Sequence, residues 1–254
     1  MLHLTIHALN IKYINFIMKL LKKIALICFD WIDKYYHQKK IKYFLKKNKF
    51  KVNTFFDIGA HLGKYTDLIL EINDSCRIFM FEPQTEIFKK IKDKYKGQKK
   101  INTFNYAISN KNGFRKFFVN KHDLTSTFST YNHKNAYLNF KAKLFNSSLK
   151  EMTIVENYTK TMTLKRFINK KKLNEIDLVK IDTEGHELEV VNGIGSKITN
   201  IKCLIIEFHH DKIYHSYNCK KIHNYLIKKN FIFKHTFPFP LSPWEDRLYL
   251  NKKY

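Results

Sequence analysis

Residues 57–63 read Asp-Ile-Gly-Ala-His-Leu-Gly, and they stand where one texture of sequence gives way to another. Leading into them, Thr54–Ile58 (TFFDI) reads as a buried strand. After them Lys64–Ile72 reads as a helix. A buried strand that turns into a helix through two glycines is the first crossover of a doubly wound sheet. Gly59 lets the backbone turn tightly and approach a ligand with no Cβ in the way, and Gly63 lets the helix begin close to the strand. The same alternation continues outward. Strands are predicted at Arg77–Phe81, Ile101–Ile108, Asp177–Ile181 and Lys202–Phe208, with an additional strand at Gly113–Asn120. Helices are predicted at Glu86–Tyr95, Leu164–Asn169, from Glu187 and at Lys220–Lys229. Phe231–Phe233 and Arg247–Leu250 read as a closing hairpin, and 121–160 as a polar, irregular loop. The fold class is therefore α/β, a mostly parallel sheet with helices on both faces.

Three readings of the glycine turn compete. A phosphate-binding P-loop needs four residues between its glycines followed by Lys-Ser/Thr. Here three residues separate Gly59 from Gly63, and Tyr65 follows Lys64. A dinucleotide fingerprint needs a glycine where His61 stands. DxGxxxG remains, the glycine pattern of methyltransferases that use S-adenosylmethionine, a cofactor without phosphate. The second strand ends Phe81-Glu82-Pro83, 25 residues after Asp57. A carboxylate at that strand tip can accept both hydroxyl hydrogens of a ribose. Pro83 stops further strand pairing and shapes the turn. The plainer alternative is an ordinary α/β turn with a solvated glutamate.

In these pieces the chain resembles the FkbM-type methyltransferases. The matching segments are FFDIGAHLGKYT (55–66), FMFEP (79–83), NYAISNKNG (105–113), LVKIDTEGHELEVVNG (178–193) and LIIEFHH (204–210), in the family's order, and KIDTEGHE is the most specific. The resemblance implies a Rossmann-like class I methyltransferase fold with a seven-stranded, mostly parallel sheet, placed over 51–254. Residues 1–50 lie outside the matching segments, inherit nothing from the family, and are read as an N-terminal helical extension. It implies S-adenosylmethionine as cofactor and O-methylation of a hydroxyl on a carbohydrate, glycolipid or secondary metabolite. It gives Asp57, Gly59, Ala60, Gly63 and Glu82 cofactor roles and brings Asn105 to Ala107 near the adenine. His61 stands where the family usually has Asn; its ring N–H is a candidate donor to the cofactor's carboxylate.

Methyl transfer to a neutral hydroxyl needs alignment and a group that takes the proton. Candidates cluster after two strands: Asp182, Glu184, His186 and Glu187 after the first, Glu207, His209, His210 and Asp211 after the second. Gly185 permits a turn that aims Asp182 and Glu184 inward. Asp182 and Glu184 are expected at the substrate site, with His186 or His209 as base. A divalent metal held by Asp182, Glu184 and Glu207 is the minor alternative. Glu187, Glu189, His210 and Asp211 are expected to be solvent-facing, and Thr125–Phe128 is a candidate substrate lid.

The formal net charge of +25 invites a nucleic-acid reading. Of the 47 basic residues, however, only four are arginine (Arg77, Arg115, Arg166, Arg247). Base and phosphate readers lean on the bidentate guanidinium, so the lysines are read as solvated faces. Along 10–29, Ile14, Ile17, Met18, Leu21, Ile24, Ala25 and Cys28 share one helical arc, opposite Lys12, Lys19, Lys22 and Lys23. That arc is expected to pack on the catalytic domain; the alternative is an interfacial helix on anionic lipid. Residues 31–50 read as helical, stopping near Asn48, and Met18 is a second candidate start. The run after Lys23 stops at Asp30, too short for a secretory core or a membrane span. Four dispersed cysteines, with Cys76 and Cys203 in apolar runs, fit a reducing, cytoplasmic setting. The competing functions are an RNA methyltransferase, suggested only by charge, and a non-catalytic Rossmann-like binding protein at a membrane surface or nucleic acid.

Overall fold

The computed structural model describes residues 30–120, 126–130, 132, 134–144, 153–210, 213–215, 217–240 and 242–254, with residues 17, 20, 23, 24, 27 and 28 before them. In chain order the strands are β1 (Thr54–Ile58), β2 (Arg77–Phe81), β3 (Ile101–Phe104), β4 (Ala107–Ile108), β5 (Gly113–Asn120), β6 (Thr153–Met162), β7 (Ile176–Ile181), β8 (Ile201–His209), β9 (Phe231–Pro238) and β10 (Trp244–Asn251). The helices are α1 (Gln38–Lys47), α2 (Lys64–Leu70), α3 (Thr85–Lys94), α4 (Ala136–Leu144), α5 (Leu164–Lys171), α6 (Glu187–Ile194) and α7 (Cys219–Lys228). A π-helical turn, Asp33–His37, leads into α1.

Seven strands form the main sheet in the order β3-β2-β1-β7-β8-β10-β9. The first five are parallel, and β10 returns antiparallel between β8 and β9. Strand order reverses between β1 and β7, which is the switch point where such sheets open a crevice.

Successive residues of each strand serve opposite faces. Phe56, Ile58, Phe79, Phe81, Val179, Ile181, Leu204 and Ile206 pack with Leu164, Phe167 and Ile168 of α5, Val190, Val191 and Ile194 of α6, and Ile222 and Leu226 of α7. Phe55, Ile78, Met80, Leu178, Cys203 and Ile205 pack with Leu68 and Ile69 of α2, Ile91 of α3, and Ile41 and Leu45 of α1. Each face thus carries three helices, and α1 supplies one of them. The segment 38–47 belongs to the same core as the sheet, although it lies on the N-terminal side of the expected boundary at residue 50.

Three expectations are corrected. Ile101–Ile108 is two strands: β3 joins the main sheet, while β4 belongs to a second sheet of order β4-β6-β5. The stretch 121–160 holds α4 and the start of β6. Strand β6 is rich in β-branched residues (TIVENYTKTM), and Tyr158 at its middle is exposed while Thr161 is buried, so polar residues on the open side mask the strand pattern. Third, of the arc predicted to pack on the catalytic domain the three described residues, Ile17, Ile24 and Cys28, are exposed. Lys12, Ile14, Met18, Lys19, Leu21, Lys22 and Ala25 lie outside the described residues. Cys76 and Cys203 are buried free thiols, as expected.

Candidate functional site

The C-terminal tips of the parallel strands are tied together by backbone hydrogen bonds that run from strand to strand. Gly59 N and Ala60 N both donate to Phe81 O (3.0 and 3.1 Å), Asp182 N donates to Ile58 O (3.0 Å), and Glu82 N donates to Phe104 O (3.1 Å). Gly59 has φ +80, and a Cβ there would lie 1.7 Å from the carbonyl oxygen of Asp182. Only glycine lets the β1 and β7 tips come this close. The tips enclose a cavity of about 330 Å³.

One wall is built from Asp57, Gly59, Ala60, His61, Glu82, Pro83 and Ala107. The Glu82 carboxylate is clamped by two backbone donors, His61 N on Oε2 (2.9 Å) and Gln84 N on Oε1 (2.8 Å). The two amides hold the carboxylate in one orientation at the edge of the cavity it lines. Asn105 does not line the cavity; its side-chain amide donates to the carbonyls of Glu82 and Pro83 (3.0 and 3.1 Å) and so braces the turn. Gly63 also stands back, as the N-cap of α2. Thr66 donates its hydroxyl to Asp57 (2.8 Å). Burial still raises the Asp57 carboxyl to about 7, against the pull of Thr66 and Lys180.

The facing wall carries Asp182, Thr183, Glu184 and Glu207. Behind them lies a network that sequence reasoning missed. Lys180, 1% exposed in β7, sits 2.7 Å from Asp246 Oδ1 and 3.3 Å from Asp182 Oδ2. The Tyr65 hydroxyl donates to the other oxygen of Asp246. Burial disfavours the Lys180 ammonium, but Asp182, Asp246 and Glu207 together raise its pKa well above the ordinary lysine value. The Asp182 carboxyl is held low by Lys180, despite burial. Glu207 is pushed well up by burial and by the charges of Asp182 and Glu184.

Neither candidate base, His186 or His209, lines the cavity. His186 is buried outside the cavity lining, with Nε2 on Ser109 Oγ (2.9 Å), Nδ1 3.6 Å from Glu189 and its ring beside Phe128. Burial lowers its pKa to about 3, which leaves a neutral imidazole turned away from the strand tips. His209 follows Glu207 at the end of β8, its ring edge-on to Tyr214 and Tyr217. Glu187, expected in solvent, is fully buried: its Oε1 accepts from Thr183 N (2.9 Å) and Gly185 N (3.2 Å), fixing the turn that carries Asp182 and Glu184. Gly185 (φ +90) faces the Tyr214 ring at a distance that admits no Cβ. Glu189 is half-buried and His210 exposed, while Asp211 lies outside the described residues.

Two further segments border the cavity. Ser126 and Phe128 line it, Thr127 donates its hydroxyl to Glu184 O, and Ser129 donates to Gly185 O (2.8 Å). Of the segment Thr125–Phe128, read from sequence as a candidate lid, Ser126 to Phe128 thus stand at the cavity, and Thr125 lies outside the described residues. Asp30, Asp33, His37 and Gln38 also line the cavity. Lys64 binds Asp30 and Asp33 (2.8 Å each), and His37 lies 3.2 Å from Phe237 O. No motif in the N-terminal 50 residues signalled this contribution, because it arises from where α1 docks.

The donor set on the first wall, an oriented strand-tip carboxylate above a glycine turn with small apolar residues beside it, fits an adenosine moiety. Comparison with known proteins bears on which cofactor family this is. A solved FkbM methyltransferase from Methylobacillus flagellatus KT is similar with a TM-score of 0.50 and 15% identity, over 78% of this chain and 43% of that one. The chain thus spans less than half the length of that relative. TrmK of M. capricolum, solved with S-adenosyl-homocysteine, is similar with a TM-score of 0.47 and 11% identity, over 86% of this chain and 69% of that one. No curated protein matches the chain in sequence. The family model described as the methyltransferase FkbM domain matches residues 57–233, well over half of the chain. On that match, the α/β sheet with its strand-tip cavity belongs to the FkbM family of methyltransferases, whose class I Rossmann-like fold it has.

Proposed function

We propose that the protein transfers a methyl group from S-adenosylmethionine to a hydroxyl oxygen of a carbohydrate, glycolipid or other small acceptor. The observation that carries this reading is that one cavity unites Glu82 and the Gly59 turn with Asp182, Glu184 and Glu207 on the facing wall. When bound, the cofactor supplies a methyl already made electrophilic by its sulfonium. The residues of the chain bind, orient and manage a proton. Glu82 accepts from the ribose hydroxyls, and Ala60 and Ala107 leave room for the base. Asp182, kept ionised by Lys180, is the carboxylate placed to take the acceptor's proton. Radiolabelled methyl transfer to a panel of sugars, glycolipids and phenols, with unmodified RNA alongside, tests the proposal. Label in an alkali-stable ether of a hydroxylated acceptor is expected. Label in RNA alone, or no cofactor binding at all, overturns it.

Asp57 gives this reading a pH signature. Its carboxyl is raised to about 7, so in the folded chain without ligand it ionises only as pH passes neutrality. A cationic cofactor favours the ionised form. Affinity for S-adenosylmethionine is therefore expected to rise between about pH 6 and pH 8, with proton release on binding at the lower end. Calorimetry in buffers of different ionisation enthalpy measures that release, which should vanish in Asp57→Asn. A flat pH profile in the parent chain would contradict it.

A glycolipid acceptor accords with one surface feature. Ile17, Leu20, Ile24, Ile27 and Trp31 recur at helical spacing and are all exposed. Lysines interleave with them in a chain of net charge +25, the composition of an interfacial helix on anionic lipid. Among the described residues no helix is long and apolar enough to cross a membrane. Cosedimentation with phosphatidylglycerol vesicles, but not with phosphatidylcholine vesicles, is expected, and Ile27→Ser with Trp31→Ser should abolish it. Equal behaviour with both vesicle types removes the membrane contact.

A further inference from the structure

We infer that Glu184, Glu207 and His209 form a binding site for a divalent first-row transition cation at the base of the cavity. Each offers a ligand atom, and these atoms all lie within 4.8 Å of one another. Glu207 and His209 are 5% and 4% exposed. Their Oε2 and Nε2 atoms stand 3.0 Å apart, yet neither has a hydrogen-bond partner among the described residues, and neither does His209 Nδ1. Buried polar atoms are almost always hydrogen-bonded, and an orphaned pair calls for a missing partner. An imidazolium–carboxylate pair would aim its N–H at the oxygen, and that bond is not made. Two donors each about 2.1 Å from one cation, at right angles, stand roughly 3.0 Å apart.

The surroundings favour a cation. Asp182, Glu184, Glu207 and Asp246 converge here against the single ammonium of Lys180. The Tyr214 hydroxyl donates to Glu184 Oε2 (2.5 Å), which fixes that carboxylate on its left-handed turn. Two oxygens and one imidazole nitrogen suit Mn²⁺, Fe²⁺ or Zn²⁺ better than Mg²⁺, which takes oxygen donors. The set differs from the sequence expectation, because Asp182 is engaged by Lys180 and His209 takes its place. Glu184 and Glu207 line the cavity, so the cation's open positions face the acceptor, whose hydroxyl oxygen it would polarise. That role rests on the proposed function; the binding itself does not.

Titrating the full-length chain with Mn²⁺ alone, followed by calorimetry and by pulsed electron paramagnetic resonance, tests the site. Saturable one-to-one binding with nitrogen modulation from an imidazole is expected. His209→Ala should lose the modulation and weaken binding at least ~10-fold. Glu184→Gln, in a loop, serves if His209→Ala does not fold, and should weaken binding similarly. Absence of Mn²⁺ binding, or equal binding by parent and variants, overturns the site. S-adenosylmethionine titrated into the same samples separates the two readings: cation binding without cofactor binding sinks the methyl-transfer proposal and leaves the metal site standing.

Discussion

Glu82→Ala is expected to weaken S-adenosylmethionine binding by roughly 100- to 10,000-fold. Hydrogen bonds to a charged group contribute about 1.5–3 kcal/mol each, and on the proposed reading the carboxylate takes one from each ribose hydroxyl. Two such bonds give about 3–6 kcal/mol, which converts to that range. The carboxylate also receives the amides of His61 and Gln84, so its loss loosens the turn that shapes the adenosine side of the cavity. Calorimetric titration of the variant measures the effect, and thermal melting reports separately on the fold. Unchanged affinity would show that the ribose is held elsewhere.

Lys180→Met should cost about 3–5 kcal/mol of folding stability, the usual result of removing one partner from a buried ionic cluster. Met fills a similar volume, so the loss is electrostatic rather than a cavity. Asp246 is 1% exposed and depends on Lys180, with help from the Tyr65 hydroxyl. The effect has a pH signature. Asp182 is held below its ordinary value in the fold, so its contribution is present above the unfolded carboxylate pKa of about 4 and is lost as pH falls further. The gap between parent and variant should therefore be widest near neutrality and narrow in acid. Urea unfolding at several pH values reads it directly; equal stability at pH 7 would mean that Lys180 does not compensate these carboxylates.

The parts of the fold that could be read from sequence share a physical cause. β1, β2, β7 and β8 are central parallel strands buried on both faces, so each reads as a short, mainly apolar run, and their tips end in DIGAHLG, FEP, DTEGHE and EFHH. Strand β6 escaped notice because its outward residues are polar and its sheet of three is small. His186 misled for a different reason. It stands four residues from Asp182 in the chain, but the start of α6 swings it out of the cavity toward Ser109. Glu187 looked like a solvent-facing helix residue, whereas it caps the very turn it follows.

By itself the sequence determined the α/β class, the positions of the core strands along the chain, the glycine turn and the acidic strand tips, because these are local patterns whose chemistry is complete within a few residues. Only the tertiary structure decided that α1 fills the third helical position on one face. It also decided that Tyr65, Lys180 and Asp246 form one buried network and that His209, not Asp182, completes the Glu184–Glu207 cluster. Those groups come from elements far apart in the chain, and nothing short of their packing determines which charges share a buried space and must answer one another.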